Sequence, residues 1–227
     1  MSSTHPHVVN AEPRRGDSEP PRRKSYHHGA LRSALIEAGI ALAREGGPER
    51  VILREAARAA GVSHSAAYRH FADRDALLAE VSRYARNELA AKMRRRVKRA
   101  RDPRKRLEAV GMAYVDFALA QPGLFRTAFT SHPPTSEAEV ADGVGRASGG
   151  GDDSDPFEIL GQVLDQAEAA GLMDPHRRPG AEIGAWSAVH GLASLLLDGP
   201  LPANPANVEF ARGQVLTLIE RGLLNEA

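Results

Sequence analysis

The chain has 227 residues and few side chains suited to covalent chemistry. It contains no cysteine, so thiolate catalysis, disulfides and Cys-ligated zinc are excluded. Nine histidines raise the question of a metal, yet no two stand four apart beside an acid in a ligand pattern. No metal and no cofactor are expected. A Gly-rich phosphate loop, a Gly-x-Ser-x-Gly elbow and paired carboxylates of recognisable spacing are all missing, so the chain does not read as an enzyme. What it offers instead is non-covalent. His64, Ser65, Arg69 and His70 stand outward on a two-turn helical segment that follows Gly61-Val62-Ser63. Polar side chains on a short helix behind a glycine turn match the recognition half of a helix-turn-helix, whose second helix lies in the DNA major groove, although a helix pair with a glycine turn is by itself a weak signal.

The elements that would hold this segment are all helical. Leu31, Leu35, Ala38 and Leu42 recur at steps of four, three and four, one face of a helix over about 29–44, stopped by Gly46-Gly47-Pro48. Ala56, Ala57, Ala59 and Ala60 build a small-sided second helix over about 53–60, which another helix can cross closely. Ser63 is a good N-cap for the third, about 65–71. Asp73 caps a fourth, whose apolar stripe of Leu77, Val81, Tyr84 and Leu89 continues to about 99. Beyond Pro103 come a helix with Leu107, Val110, Tyr114 and Phe117 on one face, a short amphipathic piece at 124–129, and helices near 156–171, 180–198 and 205–222. A Ser/Gly/Asp-rich stretch at 148–153 reads as a flexible polar loop. The expected fold is all-α.

Net charge is only +1, but its distribution is uneven. Residues 1–106 hold 24 Lys+Arg against 12 Asp+Glu, and residues 107–227 hold 6 against 17. The basic half suits a polyanion, and the acidic half would be repelled by one. Residues 1–25, with four prolines and almost nothing apolar, read as a disordered basic arm that either lies along DNA or is merely solvated. The run 92–101 has seven basic residues in ten. It begins about 30 Å along the helix that Arg74 opens, so it is expected to pair with the acidic half or face solvent, not touch DNA. No apolar run is long enough to span a bilayer and the N-terminus has no signal-peptide core, so a cytoplasmic location is expected.

The string Ala57-Arg58-Ala59-Ala60-Gly61-Val62-Ser63-His64-Ser65-Ala66-Ala67-Tyr68-Arg69-His70-Phe71, followed by Asp73-Arg74-Asp75-Ala76-Leu77-Leu78, closely resembles the DNA-binding signature of the TetR family of regulators. The resemblance implies a three-helix DNA-binding domain (26–72), then a linker helix and a helical ligand-binding and dimerisation domain (73–227). It implies a homodimer on double-stranded operator DNA, released by a small effector. The DNA-facing set it implies is Ser63, His64, Ser65, Ala66, Tyr68, Arg69, His70 and Arg74. Tyr68 and His70 match phosphate-holding positions, and Arg74 matches a basic residue set against the DNA backbone. His64, Ser65, Ala66 and Arg69 match groove-facing positions, with Arg69 a reader of guanine. The chain departs from the pattern at Ile52, where many members cap the second helix with Thr. It departs again at Ala66, where many carry a phosphate-touching Thr.

Trp186-Ser187-Ala188-Val189-His190-Gly191 resembles a Trp-His-Gly signature found in one subgroup of TetR-like C-terminal domains. Trp186 and His190 fall one turn apart on one helix face. Tyr114, Phe117, Phe125, Trp186 and His190, with Met112 and Phe129 nearby, are candidate walls of an effector pocket. A filled core would use the same residues. A protein partner in place of a small effector is the alternative reading of the helical half. Gly191, in mid-helix, implies close approach of another helix.

Overall fold

The structure, a computed structural model, describes residues 24–130 and 155–225. The bulk of the expected arm and the polar loop at 148–153 lie outside the described residues. Nine α-helices and two 3-10 turns make up the described fold, with no strand among them. In chain order they are α1 (Lys24–Gly46), a 3-10 turn (Pro48–Arg50), α2 (Leu53–Ala59), α3 (His64–Tyr68), α4 (Arg74–Val97), α5 (Pro103–Ala120), α6 (Pro122–Ala128), α7 (Pro156–Ala169), a second 3-10 turn (Pro175–Arg177), α8 (Ala181–Leu197) and α9 (Pro205–Leu223).

Local chemistry sets the ends. The Asp73 carboxylate accepts the Ala76 N–H at 2.8 Å and starts α4, Asp102 does the same for Lys105 at the head of α5, and Asn204 for Asn207 at the head of α9. Proline occupies the first turn of α5, α6, α7 and α9, where its missing N–H costs nothing. Between α2 and α3, Gly61 sits at φ +69°. There the Val62 N–H reaches Ala57 O and the Gly61 N–H reaches Arg58 O, a Schellman ending that only a residue at ease in the left-handed region supports. The chain then reverses directly into the Ser63 cap.

The long helix α4 joins the two halves. Near its start, Leu77, Leu78 and Val81 pack under α1 and α2 with Leu35, Val51, Leu53, Ala56 and Phe71. Further along, Leu89, Ala90 and Met93 enter the core built by α5 to α9. One hydrophobic cluster therefore runs through both halves. The halves also meet through α6, whose first turn presses on the last turn of α1. A Cβ at Gly123 would lie 2.1 Å from Ala43 O, so only glycine admits this approach.

Sequence expectation and structure differ mainly at helix ends. Helix α1 begins at Lys24, so Lys24 and Ser25 belong to it and not to the arm. Helix α3 stops at Tyr68, after which Arg69 and His70 complete a tighter turn through bonds to Ala66 O and Ala67 O. The basic run lies at the far end of α4 and partly pairs with the acidic half. Asp116 on α5 accepts from Arg96, and also from Arg212 of α9 at 2.9 Å.

Candidate DNA interface and effector chamber

Helix α3 is pinned by its buried side and free on the other. Ala67 is fully buried and Phe71, just beyond the helix, is nearly so, with the Arg32 guanidinium 5.2 Å above its ring. These contacts fix the helix against α1 and α2. On the outer side His64, Ser65, Tyr68 and Arg69 are exposed, while Ala66 and His70 are half-buried. Ser63 spends its hydroxyl oxygen on the Ala66 N–H at 3.2 Å and lies 3.2 Å from the Ser65 hydroxyl. The His64 and Tyr68 rings meet edge to face at 4.7 Å, a pairing one helical turn apart that restrains both. Among the described residues the Arg69 guanidinium has neither ion pair nor hydrogen bond. Seven of the eight expected DNA-facing residues are thus brought together on or beside α3. The eighth, Arg74, points back into the fold, donating to the carbonyls of Pro48 and Val51.

In the helical half, Tyr114 is the hub of a ring cluster. Trp186 lies 5.0 Å from it, Phe125 5.5 Å, Phe129 5.9 Å and His190 6.2 Å, centroid to centroid. Helix α5 supplies Tyr114, α6 and the residue after it supply Phe125 and Phe129, and α8 supplies Trp186 and His190 from one face. Phe157 of α7 touches Trp186 at 5.7 Å. Phe117 is buried in the same core but makes none of these ring contacts. The Tyr114 hydroxyl stands 2.7 Å from His190 Nδ1. Burial pushes the Tyr114 phenol far above its ordinary range and holds the His190 imidazole below its own. Burial thus disfavours the charged form of both groups, and the hydroxyl and Nδ1 share one proton whose side is set by the imidazole tautomer.

The space beside this cluster is small. A cavity of about 20 Å³ lies between Met93, Val110, Tyr114, Trp186, Val189 and Leu216, room for about one water. Its lining is apolar apart from Tyr114 and Trp186. The rings fill most of the volume that a pocket would occupy. Sequence spacing brought Trp186, His190 and Tyr114 into view. It missed Met93, Phe157 and Leu216, which arrive from three other helices and have no local pattern to distinguish them from ordinary core.

Family comparison accords with this geometry. Residues 35–81 match a family described as bacterial regulatory proteins, tetR family, and residues 107–218 match one described as tetracyclin repressor-like, C-terminal domain. No curated protein sequence matches the chain. Among solved structures, a protein of unknown function from Rhodococcus sp. RHA1 is 30% identical with a TM-score of 0.70, across 89% of this chain and all of that one. A TetR family regulator from Marinobacter aquaeolei VT8 is 20% identical with a TM-score of 0.61, covering 88% and 99%. The regulator PfmR from Thermus thermophilus is 23% identical with a TM-score of 0.55, covering 83% and 97%. With both halves matched in order and the helix-turn-helix built as described, the chain belongs to the TetR family of transcriptional regulators.

Proposed function

We propose that this regulator is a ligand-responsive repressor that binds a two-fold operator as a dimer. One observation carries the reading: a capped, core-anchored α3 that exposes His64, Ser65 and Tyr68, with an exposed Arg69 just beyond it that makes no ion pair or side-chain hydrogen bond among the described residues. A two-turn recognition helix makes too few contacts for tight specific binding alone, so two must act together about 34–36 Å apart. Exposed Ile183 and Leu195 on α8, with Phe210 and Leu218 on α9, supply an apolar face for that pairing. Among the described residues outside its own helix backbone and its chain neighbours, nothing stands within 4 Å of a Cβ built at Gly191, which leaves this stretch of α8 flat enough for a second copy to approach. Among the described residues no helix is long and apolar enough to cross a membrane.

Selection from a randomised duplex pool, followed by footprinting, tests the DNA half of the reading. Protection of two symmetric half-sites supports it, and absence of any enriched duplex rejects it. Within an enriched site, Arg69→Ala is expected to lose about 1–3 kcal/mol and to relax one base position per half-site. Tyr68→Phe is expected to weaken every sequence alike, because phosphate contacts carry no base information. Equal loss on all sequences for Arg69→Ala would remove it from base reading.

The effector half concerns the ring cluster. A small, neutral, mainly apolar molecule suits walls whose polar groups are limited to the Tyr114–His190 pair and the Trp186 indole. Because the cavity is so small, entry requires rings to move, which gives the ligand a preference between conformations. Without such a preference, binding would shift nothing. Trp186 is the only tryptophan, so its emission reports on the cluster without a label. Metabolite titrations followed at Trp186, with and without operator, are expected to show weaker ligand binding in the presence of DNA. Ligands that perturb Trp186 equally in both cases would remove the cluster from the switch.

A further inference from the structure

Arg74 opens α4 at the position where the family resemblance implies a contact to the DNA backbone, and its surroundings here are different. Its Nε donates to Val51 O at 2.9 Å and its Nη2 donates to Pro48 O at 2.6 Å. Its remaining terminal nitrogen, Nη1, lies 3.3 Å from Asp75 Oδ1. Pro48 and Val51 belong to the connector between α1 and α2, and both are buried. The connector's own backbone bonds are those of a single 3-10 turn, the Arg50 N–H on Gly47 O and the Val51 N–H on Pro48 O, and none of them ties it to α4. Ile52, the N-cap of α2, has no side-chain oxygen and makes no capping bond. A planar guanidinium with N–H groups at fixed angles can take two carbonyls three residues apart, which an ammonium cannot match.

We propose that Arg74 is a positioning residue. It clamps the 48–51 connector to the first turn of α4, so that α2, and α3 through the Gly61 turn, keep a fixed attitude to the long helix. The clamp compensates for the hydroxyl that Ile52 lacks. Three of the five guanidinium N–H groups are engaged by the chain itself, two on part-buried carbonyls and one at the surface beside an acid that would repel a phosphate. Only the affinity arm of the test below rests on the DNA-binding reading.

Arg74→Lys, Arg74→Gln and Arg74→Ala are made in the full chain. Operator affinity is measured over a salt series, and amide hydrogen exchange in the free protein. For a clamp, Arg74→Lys loses affinity as Arg74→Ala does, by roughly tenfold, because it keeps the charge but not the fork. Arg74→Gln recovers part of the loss. The slope of log affinity against log salt stays at the wild-type value in all three, and amides of residues 51–56 exchange faster. For a phosphate contact, Arg74→Lys keeps affinity near wild type, Arg74→Ala flattens the slope by about 0.9, and exchange is unchanged. That second pattern overturns the proposal. If the wild-type chain enriches no duplex, the regulatory reading fails by itself. Exchange then decides the clamp: faster exchange at 51–56 upholds it and unchanged exchange removes it.

Discussion

Replacing Phe210 and Leu218 together by glutamate is expected to give a helical monomer whose affinity for a two-half-site operator falls roughly 100-fold or more. Both side chains are about two-thirds exposed in the single chain, at 67% and 68%, so neither supports the fold of one protomer. They lie on one face of α9, with Gly213, Gln214, Thr217 and Arg221 between and beside them, all exposed. Helix α8 continues the same kind of surface with Ile183, Gly184, Ser187 and Leu195. Gly184, Gly191 and Gly213 each leave open space where a Cβ would stand, so the face combines large apolar side chains with flat backbone. In a two-fold interface each residue occurs twice, so the double variant buries four carboxylates in an apolar patch. Each unpaired buried charge costs several kcal/mol, so four of them are expected to separate the protomers. Sedimentation gives the mass and far-ultraviolet circular dichroism the helicity. A stable dimer in the double variant would place the two-fold axis on another face.

Much of this fold is readable from the sequence because its signals are local. Asp73, Asp102 and Asn204 cap helices within three residues, and Gly61 ends one by its own backbone preference. The stripes of α1, α4 and α5 repeat at helical spacing, and the α3 surface follows from a single two-turn segment. What stayed hidden depends on groups distant in sequence. Arg74 reads as a cation at the head of a helix, and its carbonyl partners are 23 and 26 residues earlier. Gly123 reads as the second residue of Pro-Gly, and its reason is the carbonyl of Ala43. Phe117 shares a helix face with Tyr114, yet a three-residue step rotates it away from the rings that meet at Tyr114. Whether the aromatic residues line a pocket or fill a core is equally beyond composition, since both use the same side chains. The Trp-His-Gly subgroup goes further than the family matches carry, although Trp186 and His190 do act on one partner.

The filled state of that cluster leads to the second large effect. Tyr114→Ala is expected to destabilise the chain by about 3–5 kcal/mol, the range for losing a buried aromatic side chain. Tyr114 is 1% exposed and touches four rings, so its removal opens space that the neighbouring helices cannot readily close. It also strips His190 Nδ1 of its hydrogen-bond partner in a site that already disfavours the imidazolium. Tyr114→Phe keeps the rings and loses only the hydrogen bond, for about 1–3 kcal/mol. The difference between the two variants isolates the packing contribution. An apolar cavity of ring size binds neutral aromatic molecules, so benzene or indole is expected to raise the melting temperature of Tyr114→Ala and to leave Tyr114→Phe unmoved. At one hundred times its dissociation constant such a filler restores about 2.7 kcal/mol. The same titration decides whether the chamber is connected to DNA. Phe125 and Phe129 flank Ala128, whose carbonyl accepts from Ser82 and Arg86 on α4, each at 3.1 Å. Refilling the cavity therefore acts next to the helix that carries α3. In Tyr114→Ala the filler is expected to change operator affinity, and operator to change filler affinity by the same factor. Restored stability with operator affinity unmoved would make the ring cluster a core and nothing more.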